Sequence, residues 1–147
     1  MYPLRIVFTF FILTFLTACS DDGPEVSGDN DSPEYAATVF FYAIYEEKDL
    51  KKTMSMATPK LARIIKSYGS TRQFARNLIN MQFDTVNIEI DRTSKSIRKR
   101  YGDKATITLI FSGTHLGKKV DDMRSVKLIN KKGKWFIEKI VDDPYAR

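Results

Sequence analysis

The chain has 147 residues, a length typical of a single folded domain with one core. Cys19 is its only cysteine, so the sequence excludes an internal disulfide, a thiolate zinc site and CxxC redox chemistry. The formal net charge is +6, with 24 lysines and arginines against 18 acidic residues, which favours either an anionic neighbour or a basic surface that keeps the protein soluble.

The first 18 residues have the pattern of a secretory signal peptide. Arg5 supplies a short basic part, and an apolar run from Ile6 to Leu16, interrupted only by threonines, follows it. The run is shorter than the ~20 residues of a membrane-spanning helix but has the length of a signal-peptide core. Residues 1–18 are therefore predicted to be a cleaved signal peptide. The alternatives are an uncleaved anchor and an ordinary signal peptide that leaves a free thiol.

The end of this segment, Leu16-Thr17-Ala18-Cys19, resembles the lipobox of bacterial lipoproteins. The resemblance implies that the Cys19 thiol receives a diacylglyceryl group, that the chain is cut before Cys19 and that the new amino terminus is acylated. Two or three acyl chains hold a protein stably on a bilayer. Ser20 stands where an inner-membrane lipoprotein has aspartate, so the resemblance favours the outer membrane, facing the periplasm, over the inner membrane.

Residues 19–32 are predicted to be a disordered acidic tether. The stretch is rich in glycine, serine and acids, and Val26 is its one aliphatic residue. Residues 20–34 carry six acids and no base, whereas residues 35–147 carry 23 lysines and arginines against 12 acids. The predicted domain, residues 33–147, is therefore strongly basic while its tether is acidic.

The first half of this domain has helical periodicity. Apolar residues recur at three- and four-residue spacing, and residues that favour helix starts precede each run. The predicted helices are residues 33–47 with Ser32 as the N-cap, a short helix capped by Asp49 and ending at Met56, a helix from Thr58-Pro59 to Tyr68, and a helix that begins with the capping-box pair Ser70 and Gln73.

After Asn80 the apolar period changes from helical to two, which predicts strands. Their approximate bounds are residues 86–90, 105–112, 123–129 and 135–141. Residues 130–133 suit a hairpin turn, and Asp121 and Asp122 are expected at another turn. Helices followed by an antiparallel meander define an α+β domain, with N-terminal helices packed on a curved, cone-like sheet of four antiparallel strands.

This arrangement resembles the nuclear-transport-factor-2-like superfamily, which includes the SnoaL-type enzymes. The resemblance spans roughly residues 33–141 and implies a cone-shaped α+β fold, with a cystatin-like helix and sheet as the alternative. The superfamily holds enzymes, binding modules and structural partners, so the fold implies no activity. The residues that carry the resemblance are Pro33, Ala36, Val39, Phe40, Ala43, Ile44, Asp49, Leu50, Val126, Leu128, Gly133, Trp135 and Ile137.

Few residues suggest chemistry. His115 is the only histidine, and it shares strand parity with the apolar residues before it, although Gly113 and Gly117 suggest a strand end or bulge. Glu89 and Asp91 alternate against apolar residues and are expected to face solvent, so no acid–base pair with shared geometry is predicted. The sequence also lacks GxSxG, phosphate-loop and HExxH motifs. No catalytic residue, metal ligand or cofactor is assigned.

Two surfaces are candidates for binding. If the cone is open at one end, aromatic residues can line a pocket for a small apolar ligand, although such residues are also ordinary core. The loop after the first strand carries five bases that can bind an anionic envelope component, although it can also be a solvated hairpin loop. The candidate pocket residues are Tyr42, Tyr68, Phe74, His115 and Trp135, and the candidate anion-binding residues are Arg92, Lys95, Arg98, Lys99 and Arg100.

The sequence therefore predicts a lipid-anchored envelope lipoprotein that acts as a non-enzymatic binding or interaction module through its cone pocket or its basic face. Its predicted membrane contact is the lipid on Cys19, and nucleic acid is not expected as a partner outside the cytoplasm. One alternative is a small SnoaL-like enzyme that uses His115 in the cone. Another is a structural homodimer packed through the sheet.

Overall fold

A computed structural model describes residues 32–92 and 102–142. The predicted signal peptide, Cys19 and all of the predicted tether except Ser32 lie outside these residues. So do four of the five bases in the candidate anion-binding loop, while the fifth, Arg92, is exposed. In the part of the chain that is described, no helix has the length and apolar character needed to cross a membrane.

The helices follow the predicted order, and the structure ends the first three within two residues of the predicted ends. Their bounds are α1 Pro33–Tyr45, α2 Leu50–Ser55, α3 Pro59–Ser67 and α4 Thr71–Phe74, which continues directly as a π-helical turn over Ala75–Ile79. In each α-helix the predicted capping side chain accepts a hydrogen bond from the backbone N–H three residues later, which satisfies one of the free donors of the first turn. The four capping residues are Ser32, Asp49, Thr58 and Ser70.

The strands form one antiparallel sheet in sequence order, β1-β2-β3-β4. Their bounds are β1 Thr85–Ile90, β2 Lys104–His115, β3 Lys118–Lys131 and β4 Lys134–Asp142. The sheet is curved and does not close into a barrel. The predicted α+β class, with helices packed on a four-stranded antiparallel sheet, is confirmed.

Two predictions about acidic residues are wrong. Asp121 and Asp122 lie inside β3 and not at a turn, because the β2–β3 hairpin reverses earlier, at Leu116 and Gly117, which both have positive φ. Asp91 was expected to face solvent but is 6 % exposed. The prediction assumed that side chains alternate between the two faces of the strand. Because β1 ends at Ile90, this alternation does not determine the direction of the Asp91 side chain.

The core is an aromatic cluster between α1 and the sheet. Phe40, Phe41 and Phe111 are fully buried. The ring of Phe41 meets the ring of Phe111 edge to face, with centroids 4.9 Å apart, a favoured geometry for aromatic pairs. These rings fill the space under the first helix, so the interior of the cone at this level is packed protein.

Candidate functional site at the cationic cleft

A cleft of about 370 Å³ opens beside the β2–β3 hairpin, and we call it the cationic cleft. Four segments meet there: the C-terminal end of α1, the region of α4 and the π-helical turn, the segment that leads into β1, and the end of β2. Clefts of this size can hold small ligands. The lining residues are Ile44, Tyr45, Lys48, Thr71, Arg72, Ala75, Arg76, Gln82, Phe83, Asp84 and His115.

The floor of the cationic cleft is apolar. Ile44, Tyr45 and Ala75 are buried, and the half-buried Phe83 meets Tyr45 edge to face with ring centroids 5.4 Å apart. The Tyr45 hydroxyl donates a hydrogen bond to the carbonyl oxygen of Met81 at 3.3 Å. Burial raises the pKa of Tyr45 above its ordinary value, an effect that the positive charge of Arg124 opposes only in part. The phenol is therefore a neutral part of the floor.

The rim of the cleft is basic. Lys48, Arg72 and Arg76 are exposed, and Arg76 is held in place by an Nη2–Oε1 hydrogen bond of 2.8 Å to Gln73. Lys48 follows the end of α1 in a left-handed backbone conformation, with φ of 54°. Asp84 is the only acid among the described residues of the lining, so positive charge is in excess and the cleft favours a negatively charged ligand.

Asp84 and His115 stand side by side on one wall. The Asp84 Oδ2 atom accepts a hydrogen bond from the Leu116 N–H at 2.7 Å, which fixes the carboxylate at the hairpin. Its Oδ1 atom lies 3.6 Å from His115 Nδ1, which is longer than a hydrogen bond. That nitrogen is shielded from solvent and has no hydrogen-bond partner among the described residues. The sequence analysis identified no acid–base pair, so it did not find these two neighbouring residues.

The register of β1 and β2 explains why sequence reasoning missed this neighbour. Asp84 immediately precedes β1 and His115 ends β2, and the antiparallel pairing of Thr85 with Thr114 brings the two positions together. Gly113 permits the pairing, because a Cβ there would lie 2.0 Å from the Thr85 carbonyl oxygen. The glycine that suggested a bulge or strand end therefore lies within β2, at a close approach of two backbones, and the strand ends two residues later.

An ion pair between a buried arginine and a half-buried aspartate lies close to the floor of the cleft. Arg124 is 7 % exposed, and its Nη1 atom donates to Asp122 Oδ1 at 2.6 Å. Its Nε and Nη2 atoms lie 3.4 and 3.3 Å from the carbonyl oxygen of Ile79, the last residue of the π-helical turn. This arginine thus fastens the helical region that carries Arg72 and Arg76 to the sheet. Arg124 lies on the same buried face of β3 as Val126. The alternation pattern predicts apolar residues on that face.

The predicted pocket residues have different positions in the structure. Of the five, only His115 lines the cationic cleft. Phe74 and Trp135 belong to the buried core, and the Tyr68 ring packs on Phe74 with centroids 5.8 Å apart. Tyr42 is half-buried on α1. Across residues 32–92 and 102–142, no group of three or more potential metal-ligating side chains is present.

Comparison with known proteins identifies the fold and no more. No family model matches the sequence, and no curated protein matches it either. A SEC-C motif-containing protein from Rhodopseudomonas palustris is similar in structure, with a TM-score of 0.56 and 13 % identity over 79 % of this chain and 82 % of that chain. A designed nuclear-transport-factor-2-like protein gives a TM-score of 0.50 and 13 % identity over 73 % of this chain and 95 % of that chain. The second likeness supports a nuclear-transport-factor-2-like fold, in agreement with the helices and curved sheet described above.

Proposed function

We propose that this protein is a lipid-anchored protein of the cell envelope, and that its domain is a non-enzymatic binding module for a small anionic ligand. The observation that carries the proposal is the cationic cleft, in which exposed bases surround a buried apolar floor. The anchor is supported by the likeness of Leu16-Thr17-Ala18-Cys19 to a lipobox. Ser20, which stands where an inner-membrane lipoprotein has aspartate, supports an outer-membrane location facing the periplasm.

The cleft suits a ligand with an acidic head and a short apolar body. Arg72 and Arg76 lie four residues apart on the helical region, and guanidinium groups can bind a carboxylate or phosphate through charge-assisted hydrogen bonds. The apolar body would lie against Ile44 and Phe83, out of water. Asp84, in the same lining, disfavours a second negative charge on the part of the ligand that lies near it.

The single histidine provides a direct test of ligand binding. His115 lines the cleft and is the only histidine in the chain, so its ring protons give one assignable set of NMR signals. Titration with benzoate is expected to shift these signals, whereas the neutral analogue benzyl alcohol should shift them less at equal concentration. High salt should weaken the benzoate effect, because exposed charges are screened.

Paired variants make this test specific to the rim. Arg72→Gln with Arg76→Gln should raise the dissociation constant of benzoate about tenfold, because exposed charge pairs contribute at most about 1 kcal/mol each. Lys60→Gln with Arg63→Gln removes the same charge from α3 and should leave it almost unchanged. Equal weakening by both pairs would show that overall charge, and not the cleft, attracts the ligand.

The anchor is tested separately from the cleft. Intact mass and membrane fractionation of the native protein beside a Cys19→Ala variant should show added acyl mass and sedimentation with membranes for the native protein only. An unmodified, soluble native protein would contradict lipidation and require Cys19 to be reconsidered as a free thiol.

A second candidate function is a small enzyme, which the neighbouring Asp84 and His115 favour. A histidine beside a carboxylate, at the edge of a cleft, has the composition of a general base with its orienting group, and catalytic hydrogen bonds are often long before substrate binds. His115→Gln distinguishes the two functions. It should abolish turnover of any substrate if the protein is an enzyme, and should leave binding of an anion near Arg76 largely intact if it is not.

A further inference from the structure

The side of the sheet that faces away from the helices carries a second basic surface, and we call it the lysine face. Alternation along the strands separates its residues from the core, because Val126 and Leu128 point towards the helices while their neighbours point away. The same holds on β4, where Trp135 and Ile137 are buried. The exposed residues of the lysine face are Lys104, Lys127, Lys131, Lys134 and Lys139, with Lys132 in the β3–β4 turn.

The register of β3 and β4 places like charges opposite one another. Lys127 is the partner of Lys139, and Lys131 is the partner of Lys134. Like charges directly opposite in an antiparallel ladder repel, so both pairs lower the stability of the sheet in the isolated protein. None of these four side chains forms a salt bridge among the described residues. An anionic partner laid against this face would remove the repulsion.

Between the two lysine pairs lies an apolar pair. Ile129 faces Phe136 across the ladder, and both side chains are half-buried. The outer surface of this hairpin therefore alternates along its length: a lysine pair, an aliphatic–aromatic pair, then a second lysine pair. Such a surface suits an interface that offers phosphates to the lysines and a less polar layer to the phenyl ring.

The charge of the region is strongly unbalanced. Among the described residues close to the β3–β4 hairpin, six lysines stand against two exposed acids, Asp103 beside the start of β2 and Glu138 at the irregularity of β4. Two further exposed acids, Glu89 and Asp121, lie on the same side of the sheet farther from this hairpin, and Asp121 is paired with Lys119. This face lies on the opposite side of the sheet from the helices, and it shares no residue with the cationic cleft. The two basic surfaces are therefore separate features of the domain.

We infer that the lysine face docks the domain on the anionic phosphates of a phospholipid leaflet. The chain can reach such a leaflet, because residues 20–31 between Cys19 and the first described residue can extend to at most about 45 Å. The inference rests on the proposed function only in requiring a membrane nearby. A test on added vesicles supplies that membrane, so failure of docking is distinguishable from failure of lipidation or of ligand binding in the cleft.

Lysine acetylation measures docking in the full-length protein. The protein is inserted into vesicles of phosphatidylcholine, or of phosphatidylglycerol and phosphatidylcholine in equal parts, and is exposed to a membrane-impermeant acetylating reagent. The acetylation rates of Lys131 and Lys134, read by peptide mass spectrometry, should fall about fivefold on the anionic vesicles. Lys51 and Lys60, which are exposed on α2 and α3, should react equally on both. High salt should remove the protection.

Two triple variants give the matched control. Lys127→Gln, Lys131→Gln and Lys134→Gln together should restore the rates at Lys104 and Lys139 to those on neutral vesicles, because each basic residue strengthens contact with an anionic leaflet about fivefold. The replacements relieve like-charge repulsion, so the sheet should remain folded. The control replaces three exposed helical lysines and should keep the protection; its changes are Lys51→Gln, Lys60→Gln and Lys66→Gln.

Three results would overturn the inference. Equal acetylation of the lysine face on neutral and anionic vesicles would show that it does not dock. Protection of Lys51 and Lys60 to the same extent would show that protection is not specific to the lysine face. Protection by free inorganic phosphate in the absence of anionic lipid would identify a soluble phosphate ligand in place of the membrane.

Discussion

The packed interior and the cationic cleft share two elements, α1 and β2. Phe41 and Tyr45 lie four residues apart on α1, and Phe111 and His115 lie four residues apart on β2. In each pair the earlier residue is fully buried in the aromatic cluster and the later one lines the cleft. On each element, therefore, a residue that stabilises the core lies only four positions from a residue that can contact a ligand.

This difference predicts a division of energetic roles. Interior side chains are removed from water and make dispersion contacts on all sides, so their loss should destabilise the fold. Rim charges are solvated, so their loss should change binding while the free energy of unfolding hardly moves. Arg124 has one property of each group, because it is charged like the rim residues and buried like the core residues.

The largest expected effect comes from the interior. Phe41→Ala should lower the free energy of unfolding by about 3–5 kcal/mol, because Phe41 is fully buried and the change leaves a cavity beside Phe111. Phe136→Ala, on the outer side of the sheet where the ring is half-buried, should cost less than half as much. Urea denaturation monitored by circular dichroism measures both. Equal losses would mean that the interior is no better packed than the sheet surface.

The second-largest expected effect is the loss of stability when the buried Arg124 is replaced. Arg124→Met should cost about 2–4 kcal/mol, because it leaves the Asp122 carboxylate without its cationic partner and removes the arginine donors from the Ile79 carbonyl oxygen. The double change Arg124→Met with Asp122→Leu should recover much of that loss, since it removes the uncompensated charge. The same denaturation experiment tests both variants. If the single change is neutral, Arg124 does not fasten the π-helical turn to the sheet.

The sequence was sufficient for the fold and insufficient for the site. Caps such as Ser32 and the period-two runs predicted the four helices and four strands, because local propensity and burial agree there. The neighbourhood of Asp84 and His115 depends on strand register, which periodicity does not specify. Arg124 was missed because a charge on the buried side of a strand contradicts the pattern used to find the core. The predictions for Cys19 and residues 93–100 stay predictions, since they fall outside the described residues.

A smaller effect concerns the floor of the cleft at high pH. Tyr45 has a folded pKa raised by burial, so above about pH 10 the unfolded chain loses its phenolic proton while the folded chain retains it. The stabilising contribution is complete below about pH 10 and declines as the pH rises towards the folded pKa, by about 1.4 kcal/mol per pH unit. Tyr45→Phe should remove that part of the decline, at a cost of about 1 kcal/mol at neutral pH for the lost hydrogen bond to Met81.

Denaturation midpoints of the two proteins, measured from about pH 7 to about pH 12, test this expectation. Tyr35→Phe, near the other end of α1, controls for removal of a hydroxyl. Parallel loss of stability in the native protein and in Tyr45→Phe would show that the floor of the cleft is wetter than the structure indicates.

The smallest expected effect is a change in benzoate affinity when a charged residue of the cleft is replaced. The direction of that change distinguishes two roles for Asp84. Asp84→Asn removes the one acid that the structure describes in the cleft, while an amide oxygen can still accept from the Leu116 N–H. Stability should change little, but benzoate should bind about two- to fivefold more tightly, because a repulsive charge is gone. Arg76→Gln should weaken binding by a similar factor, and high salt should bring all three proteins together. If Asp84→Asn instead weakens benzoate binding, the carboxylate orients His115 towards the ligand, and the wall formed by Asp84 and His115 would be the part that recognises the anion.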